Sequence, residues 1–129
     1  MDERRASGCT VLVVEDDDDI RLAMRLALEA FGYNVVEACD GVEAVEAAWR
    51  TCPGIILMDL SLPLLDGLTA TRRIREDPQM KNVPIVAVTA HNESQFRINA
   101  LAAGCTAYTT KPVDFDWLNE LLGQLLPVE

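Results

Sequence analysis

The sequence predicts an α/β domain built as a doubly wound, five-stranded parallel sheet with helices on both faces. Four short runs, VLVV at 11–14, IILM at 55–58, IVAV at 85–88 and AYTT at 107–110, read as strands buried on both faces of such a sheet. Helical periodicity fills the intervals between them, and alternation at that spacing calls for right-handed βαβ crossovers. Each run also stops at a reactive side chain: Glu15 and Asp16, Asp59, Thr89 and Lys111. Ligands of open parallel sheets bind beyond the carboxyl ends of the strands, so these groups are expected at one edge although they lie far apart in the chain.

The first strand is expected over Thr10 to Val14, followed by an acidic turn and a helix from about Asp18 to Phe31. Asp18 is read as its N-cap, Gly32 as its left-handed close, and Ile20, Ala23, Met24, Ala27 and Phe31 as its inward face. Val35 to Ala38 gives a second strand. Asp40 and Gly41 then turn into a helix with Val42, Val45 and Trp49 at helical spacing, Trp49 being the expected core anchor. Pro53 and Gly54 break that helix before the third strand, Ile55 to Met58. A loop carrying Pro63 and Asp66-Gly67 leads to a helix with Leu68, Thr71, Ile74 and Arg75, ended by Pro78. Pro84 opens the fourth strand, Ile85 to Val88, where a missing N–H does least harm. A helix from about Glu93 to Ala103, stopped by Gly104, precedes the fifth strand, Ala107 to Thr110. Lys111-Pro112 leads to a last helix turning Phe115, Leu118, Leu121, Leu122 and Leu125 inward.

A chain of 129 residues, half of them apolar, fits one domain, expected over 10–127 behind a polar leader at 1–9. The net charge of −10 and pI near 4.4 argue against nucleic acid and anionic membrane as partners, leaving protein surfaces and cations. No stretch of the leader suits a signal peptide or a membrane span, so a cytoplasmic protein is expected. Cys9, Cys39, Cys52 and Cys105 show no metal spacing and are read as reduced, mostly buried small hydrophobes.

Glu15, Asp16 and Asp59 bring three negative charges together, an arrangement that needs a cation or protons. Hard oxygen donors of this kind suit Mg²⁺. An ammonium beside a metal site is not needed for the metal, but it is for a phosphoryl group, whose transfer rests on cations and donors that neutralise its oxygens. A carboxylate can act as the nucleophile and form an aspartyl phosphate.

VLVVEDD, MDLSLPLLDG, VTA and Y-x-x-KP, in this order and spacing, resemble the receiver domains of two-component response regulators, over about Thr10 to Leu126. The resemblance implies the flavodoxin-like strand order 2-1-3-4-5, which the chemotaxis response regulator shares. It further implies that Asp59 accepts a phosphoryl group from a phosphohistidine on a sensor histidine kinase or histidine phosphotransfer protein. Asp16 and Glu15 would bind Mg²⁺ with Asp59, and Ser61 would add its backbone carbonyl. Lys111 and Thr89 would contact phosphoryl oxygens, and Thr89 and Tyr108 would form the switch. Output is then expected as a protein contact on the face of the fourth helix, fifth strand and fifth helix, by a monomer or a weak phosphorylation-dependent dimer. The same chemistry would serve a relay intermediate that hands its phosphoryl group to a histidine. Ser61 and His91 occupy positions that tune phosphate lifetime in this family.

Other functions fit less well. A haloacid-dehalogenase-type phosphatase needs a second Asp two residues after the nucleophile, where Ser61 stands, so a turnover enzyme is not expected. A flavin module needs a phosphate-cradling first loop, and Glu15 to Asp19 would repel a phosphate there. Intact Asp59, Thr89 and Lys111 argue against a scaffold that is never phosphorylated.

Overall fold

In the computed structural model, described for residues 9–62, 64–90 and 94–126, strand and helix alternate throughout. The strands are β1 (Thr10–Val14), β2 (Asn34–Ala38), β3 (Ile55–Asp59), β4 (Ile85–Thr89) and β5 (Ala107–Thr110). The helices are α1 (Asp18–Ala30), α2 (Gly41–Thr51), α3 (Gly67–Glu76), α4 (Ser94–Ala103) and α5 (Phe115–Leu125), with a 3₁₀ turn at Pro78–Met80. All strand pairs are parallel, in the order β2-β1-β3-β4-β5, as the resemblance implied.

The strand residues divide between two cores by the two-residue period of the pleat. Leu12, Val14, Ile56, Met58, Ile85 and Ala87 face a core closed by Ala44, Ala48, Ala70, Ile74 and Ala100, from α2, α3 and α4. Val11, Val13, Ile55, Leu57, Val86 and Val88 face Met24 and Leu28 of α1 and Leu118 and Leu122 of α5. The central strands β1, β3 and β4 are therefore buried on both sides. β5 differs from expectation: as an edge strand it has one neighbour, and all four of its residues are half-buried.

Aspartate side chains cap four of the helices. Asp17, Asp40, Asp66 and Asp114 accept from the backbone N–H of Ile20, Glu43, Thr69 and Trp117 at 2.9, 2.7, 2.9 and 3.1 Å. The cap of α1 is thus Asp17, and Asp18 is its first helical residue. Gly32 takes the left-handed conformation expected of it, at φ 102°, and Gly104, which ends α4, does the same at 115°.

The faces of α1 and α2 need larger corrections, whereas α3 buries Thr71 and Ile74 and α5 buries Leu118 and Leu122 as expected. Trp49 is 48% exposed and Val42 is exposed with it, whereas Ala44, Val45, Ala47 and Ala48 are buried. α2 presents its small residues to the core, which lets its axis approach the sheet and leaves the large side chains at the rim. On α1, Ile20 and Ala23 are exposed, Met24 is buried as expected, and Leu28 joins it in the core. Of the cysteines, all free, Cys105 alone is buried; Cys39 and Cys52 are exposed and Cys9 is intermediate. Pro63, His91 and Glu93 lie outside the described residues.

Candidate functional site

Glu15 follows β1 and Asp59 ends β3, and the parallel pairing that sets Val14 beside Met58 brings both to one end of the sheet. Each is almost wholly buried, at 1% and 3% exposure. Asp16, one residue on, is exposed. One carboxylate oxygen from each of the three lies within 4.8 Å of the others. Three oxygen donors at this spacing, two of them in a low-dielectric setting, fit a hard divalent cation such as Mg²⁺ and would repel one another without neutralisation.

Lys111, just past β5, enters the cluster from the other side. Its Nζ lies 2.8 Å from Glu15 Oε1 and 3.2 Å from Asp59 Oδ2. Its backbone N–H donates to the Thr89 carbonyl at 2.8 Å, which ties the end of β4 to the turn carrying the ammonium. The Lys111 amine is held above its ordinary pKa: burial works to lower it, but the Glu15 hydrogen bond and the nearby Asp59 charge outweigh that effect. Glu15 is pushed up by burial, offset only in part by Lys111 and by the Asp17 N–H, which donates to Glu15 Oε2 at 3.1 Å.

The loop after β3 is built around Asp59. The Ser61 N–H donates to Asp59 Oδ1 at 2.9 Å, and the Gly67 N–H donates to the Leu60 carbonyl at 3.1 Å, folding the loop back on itself. This close return explains two glycines. A Cβ on Gly67 would collide with the Asp59 carbonyl oxygen, and one on Gly41 with the Leu65 carbonyl oxygen. A side chain at Gly67 displaces the backbone at Asp59 itself, and one at Gly41 displaces the loop at Leu65. Leu64, at φ 67°, is exposed, and Leu65 is half-buried.

Thr89 is fully buried at the end of β4, in register with Thr110, while Asp59 pairs with Val88. Tyr108, paired with Ala87, is half-buried and packs against the core beneath α2, α3 and α4. Beside Lys111, an apolar recess of about 300 Å³ opens between α1 and the start of α5, with Ile20, Met24, Val88, Pro112 and Phe115 in its walls.

One residue at the site escaped the sequence reading. Arg21, in the second turn of α1, donates from Nη1 to the Glu15 carbonyl at 2.8 Å and from Nη2 to Asp18 at 2.6 Å. A cation so near a helix N-terminus opposes the macrodipole, and that conflict in the sequence was the available signal of a specific partner.

Comparison with known proteins agrees with this geometry. Residues 11–123 match the response regulator receiver domain family. The polar-differentiation response regulator DivK of Brucella anthropi is 34% identical over 81% of this chain and 85% of its own length. The transcriptional regulatory protein CseB of Streptomyces avermitilis is 42% identical over 81% of this chain. The chain spans less than half of CseB and of the transcriptional regulator RpaA of Synechocystis, at 43% and 44% of their lengths. Among solved structures, the receiver domain of the Pseudomonas aeruginosa sensor histidine kinase PA1611 superposes with a TM-score of 0.86 at 38% identity, covering 92% of this chain and 98% of that one. That receiver holds a magnesium ion in its active-site cleft. The Vibrio cholerae chemotaxis protein CheY4 gives 0.88 at 28% identity, over 93% of this chain and 100% of its own. With its strand order, its acidic cluster and a family match over nearly all its length, this chain belongs to the response regulator receiver domains of two-component signalling.

Proposed function

We propose that Asp59 is the phosphoryl acceptor of a signalling switch. The supporting observation is the clustering of Glu15, Asp16 and Asp59 oxygens within 4.8 Å, with the Lys111 ammonium on the two buried members. An Asp59 carboxylate oxygen attacks the phosphorus of a phosphohistidine on a donor protein. The P–N bond breaks, its electron pair stays on the donor imidazole, and that ring takes up a proton. Glu15, Asp16 and Asp59 would hold Mg²⁺, with the Ser61 carbonyl as a further ligand. When bound, the ion neutralises charge on the phosphoryl oxygens. Lys111 exchanges part of its contact with Asp59 for a phosphoryl oxygen, and the Thr89 hydroxyl takes another.

The donor is a sensor histidine kinase or a histidine phosphotransfer protein, and the apolar recess beside Lys111 offers it a foothold next to the acceptor. Movement of Thr89, together with Tyr108, reshapes the α4-β5-α5 face, where a downstream protein binds. The domain acts in the cytoplasm as a switch and not as a turnover enzyme, since Ser61 stands where a general acid would serve hydrolysis. Among the described residues no helix is long and apolar enough to cross a membrane.

The test is the intact mass of wild type and Asp59→Asn after incubation with acetyl phosphate, with and without Mg²⁺. One phosphoryl group is expected on wild type with Mg²⁺ and none on Asp59→Asn. Equal labelling of the two overturns the assignment.

A further inference from the structure

The exposed carboxylate of the cluster, Asp16, has no hydrogen bond of its own among those described, yet it must be held where Glu15 and Asp59 can share a cation with it. Its backbone is held instead. The Glu15 carbonyl and the Asp16 N–H belong to one planar peptide unit, so fixing that oxygen fixes the Asp16 Cα. Arg21 Nη1 donates to this carbonyl at 2.8 Å, and its remaining nitrogens are spoken for: Nη2 by Asp18 at 2.6 Å and Nε by Glu37 Oε1 at 3.1 Å. Glu37 sits on β2 opposite Val13 of β1, and its second oxygen lies 3.1 Å from Arg25 Nε. The Arg21 side chain is 17% exposed. A strand of the sheet is thereby linked through Glu37 and Arg21 to the peptide that presents Asp16.

We infer that Arg21 is a positioning residue for the cation site: with Glu37 behind it, its fork presets the Glu15–Asp16 peptide so that Asp16 completes the cluster. The inference rests on the reading of Glu15, Asp16 and Asp59 as cation ligands. It makes a prediction opposite in sign to simple electrostatics. Deleting a positive charge close to an anionic site should strengthen cation binding, whereas losing the clamp should weaken it. Lysine keeps the charge but lacks the planar fork, and cannot serve three acceptors at these positions.

The experiment is a calorimetric Mg²⁺ titration of wild type, Arg21→Met, Arg21→Lys and Glu37→Gln, with amide hydrogen exchange at Asp16 and Asp17 followed in the metal-free proteins. Affinity should fall about ten-fold in both Arg21 variants and by a smaller factor in Glu37→Gln, in line with other supports of metal ligands. Exchange at Asp16 should speed up in the same order. Unchanged or tighter Mg²⁺ binding by Arg21→Met, or restoration of wild-type affinity by Lys, overturns the inference while leaving the cation site intact. Should Arg21→Met not fold, Arg21→Lys and Glu37→Gln decide by the same criterion. A wild-type protein that takes up no Mg²⁺ overturns the site reading and this inference together.

Discussion

The two ends of the sheet each carry charge into a confined setting, and they handle it in opposite ways. At the carboxyl end, Glu15 and Asp59 are buried with Asp16 beside them, and Lys111 is the cation on the two buried members among the described residues. At the amino end, the guanidinium of Arg75 is met chiefly by backbone, with the Thr106 hydroxyl at 3.5 Å from Nη2. It donates from Nη1 to the carbonyls of Met80 at 2.7 Å and Val83 at 2.6 Å, and from Nε and Nη2 to Gly104 at 3.0 and 2.7 Å. Burial holds Arg75 below its ordinary pKa, and no carboxylate contacts it among the described ion pairs. A charge whose donors all meet fixed acceptors has nothing left to offer a ligand. An anionic group with surplus lone pairs does. The difference marks one pole as a staple between α3, the approach to β4 and the α4–β5 turn, and leaves the other with the donor atoms a cation would take.

Breaking the staple should give the largest effect on stability. Arg75→Met leaves the Met80, Val83 and Gly104 carbonyls without their donor, and is expected to cost about 3 kcal/mol in denaturant unfolding. Labelling by acetyl phosphate should stay within about two-fold of wild type, because lost contacts at the far pole do not touch the acceptor. A large loss of labelling in a folded Arg75→Met would mean that the poles are not independent.

The carboxyl pole should respond to cations where the amino pole does not. At a free Mg²⁺ concentration of about 100 times Kd, stabilisation of about 2.7 kcal/mol is expected, read as a rise in melting temperature. Arg75→Met should show the same rise and Asp59→Asn a smaller one. No rise in wild type would remove the basis for treating the pole as a cation site.

A smaller effect separates charge at a helix cap from charge in the site. Asp66 is held below its ordinary carboxyl pKa of 3.8, chiefly by the hydrogen bond from the Thr69 N–H. A lowered folded pKa means that the ionised cap contributes stability present above pH 3.8 and lost as pH falls through the lower folded value. Asp66→Asn keeps a capping side chain without the charge, so wild type should exceed it by less than about 1 kcal/mol at neutral pH. The gap should close in acid; one that persists at pH 2 would assign the cap's contribution to geometry and not to charge.

What the sequence disclosed follows the same division. The strand ends were legible because a strand buried on both faces announces itself by continuous apolar residues, and its last residue marks the site edge. The faces of α3 and α5 were legible as well, with Thr71, Ile74, Leu118 and Leu122 buried as expected, but that of α2 was not, since hydrophobicity alone ranks Trp49 and Val42 above Ala44 and Ala48, while close helix-to-sheet packing selects the small residues. Asp17 and Asp18 cannot be told apart in a run of four aspartates, and only the bond to Ile20 identifies the cap. The Lys111 contact with Glu15, shorter than that with Asp59, depends on how far a side chain reaches across β4 and β3, which no spacing encodes. The role of Arg75 stayed hidden for a related reason: its acceptors are chiefly backbone carbonyls, which carry no sequence signature, and the acceptor that ties Arg21 to the site, the Glu15 carbonyl, is of the same kind.

The central claim is that the crowded carboxyl pole does its chemistry at Asp59. The most direct test is tandem mass spectrometry of wild type treated with acetyl phosphate and Mg²⁺, then with borohydride, which reduces an aspartyl phosphate to homoserine and so marks the acceptor. Homoserine is expected at position 59 alone. Reduction at Glu15 or Asp16, or an unmodified Asp59 in protein that has gained a phosphoryl group, would contradict it.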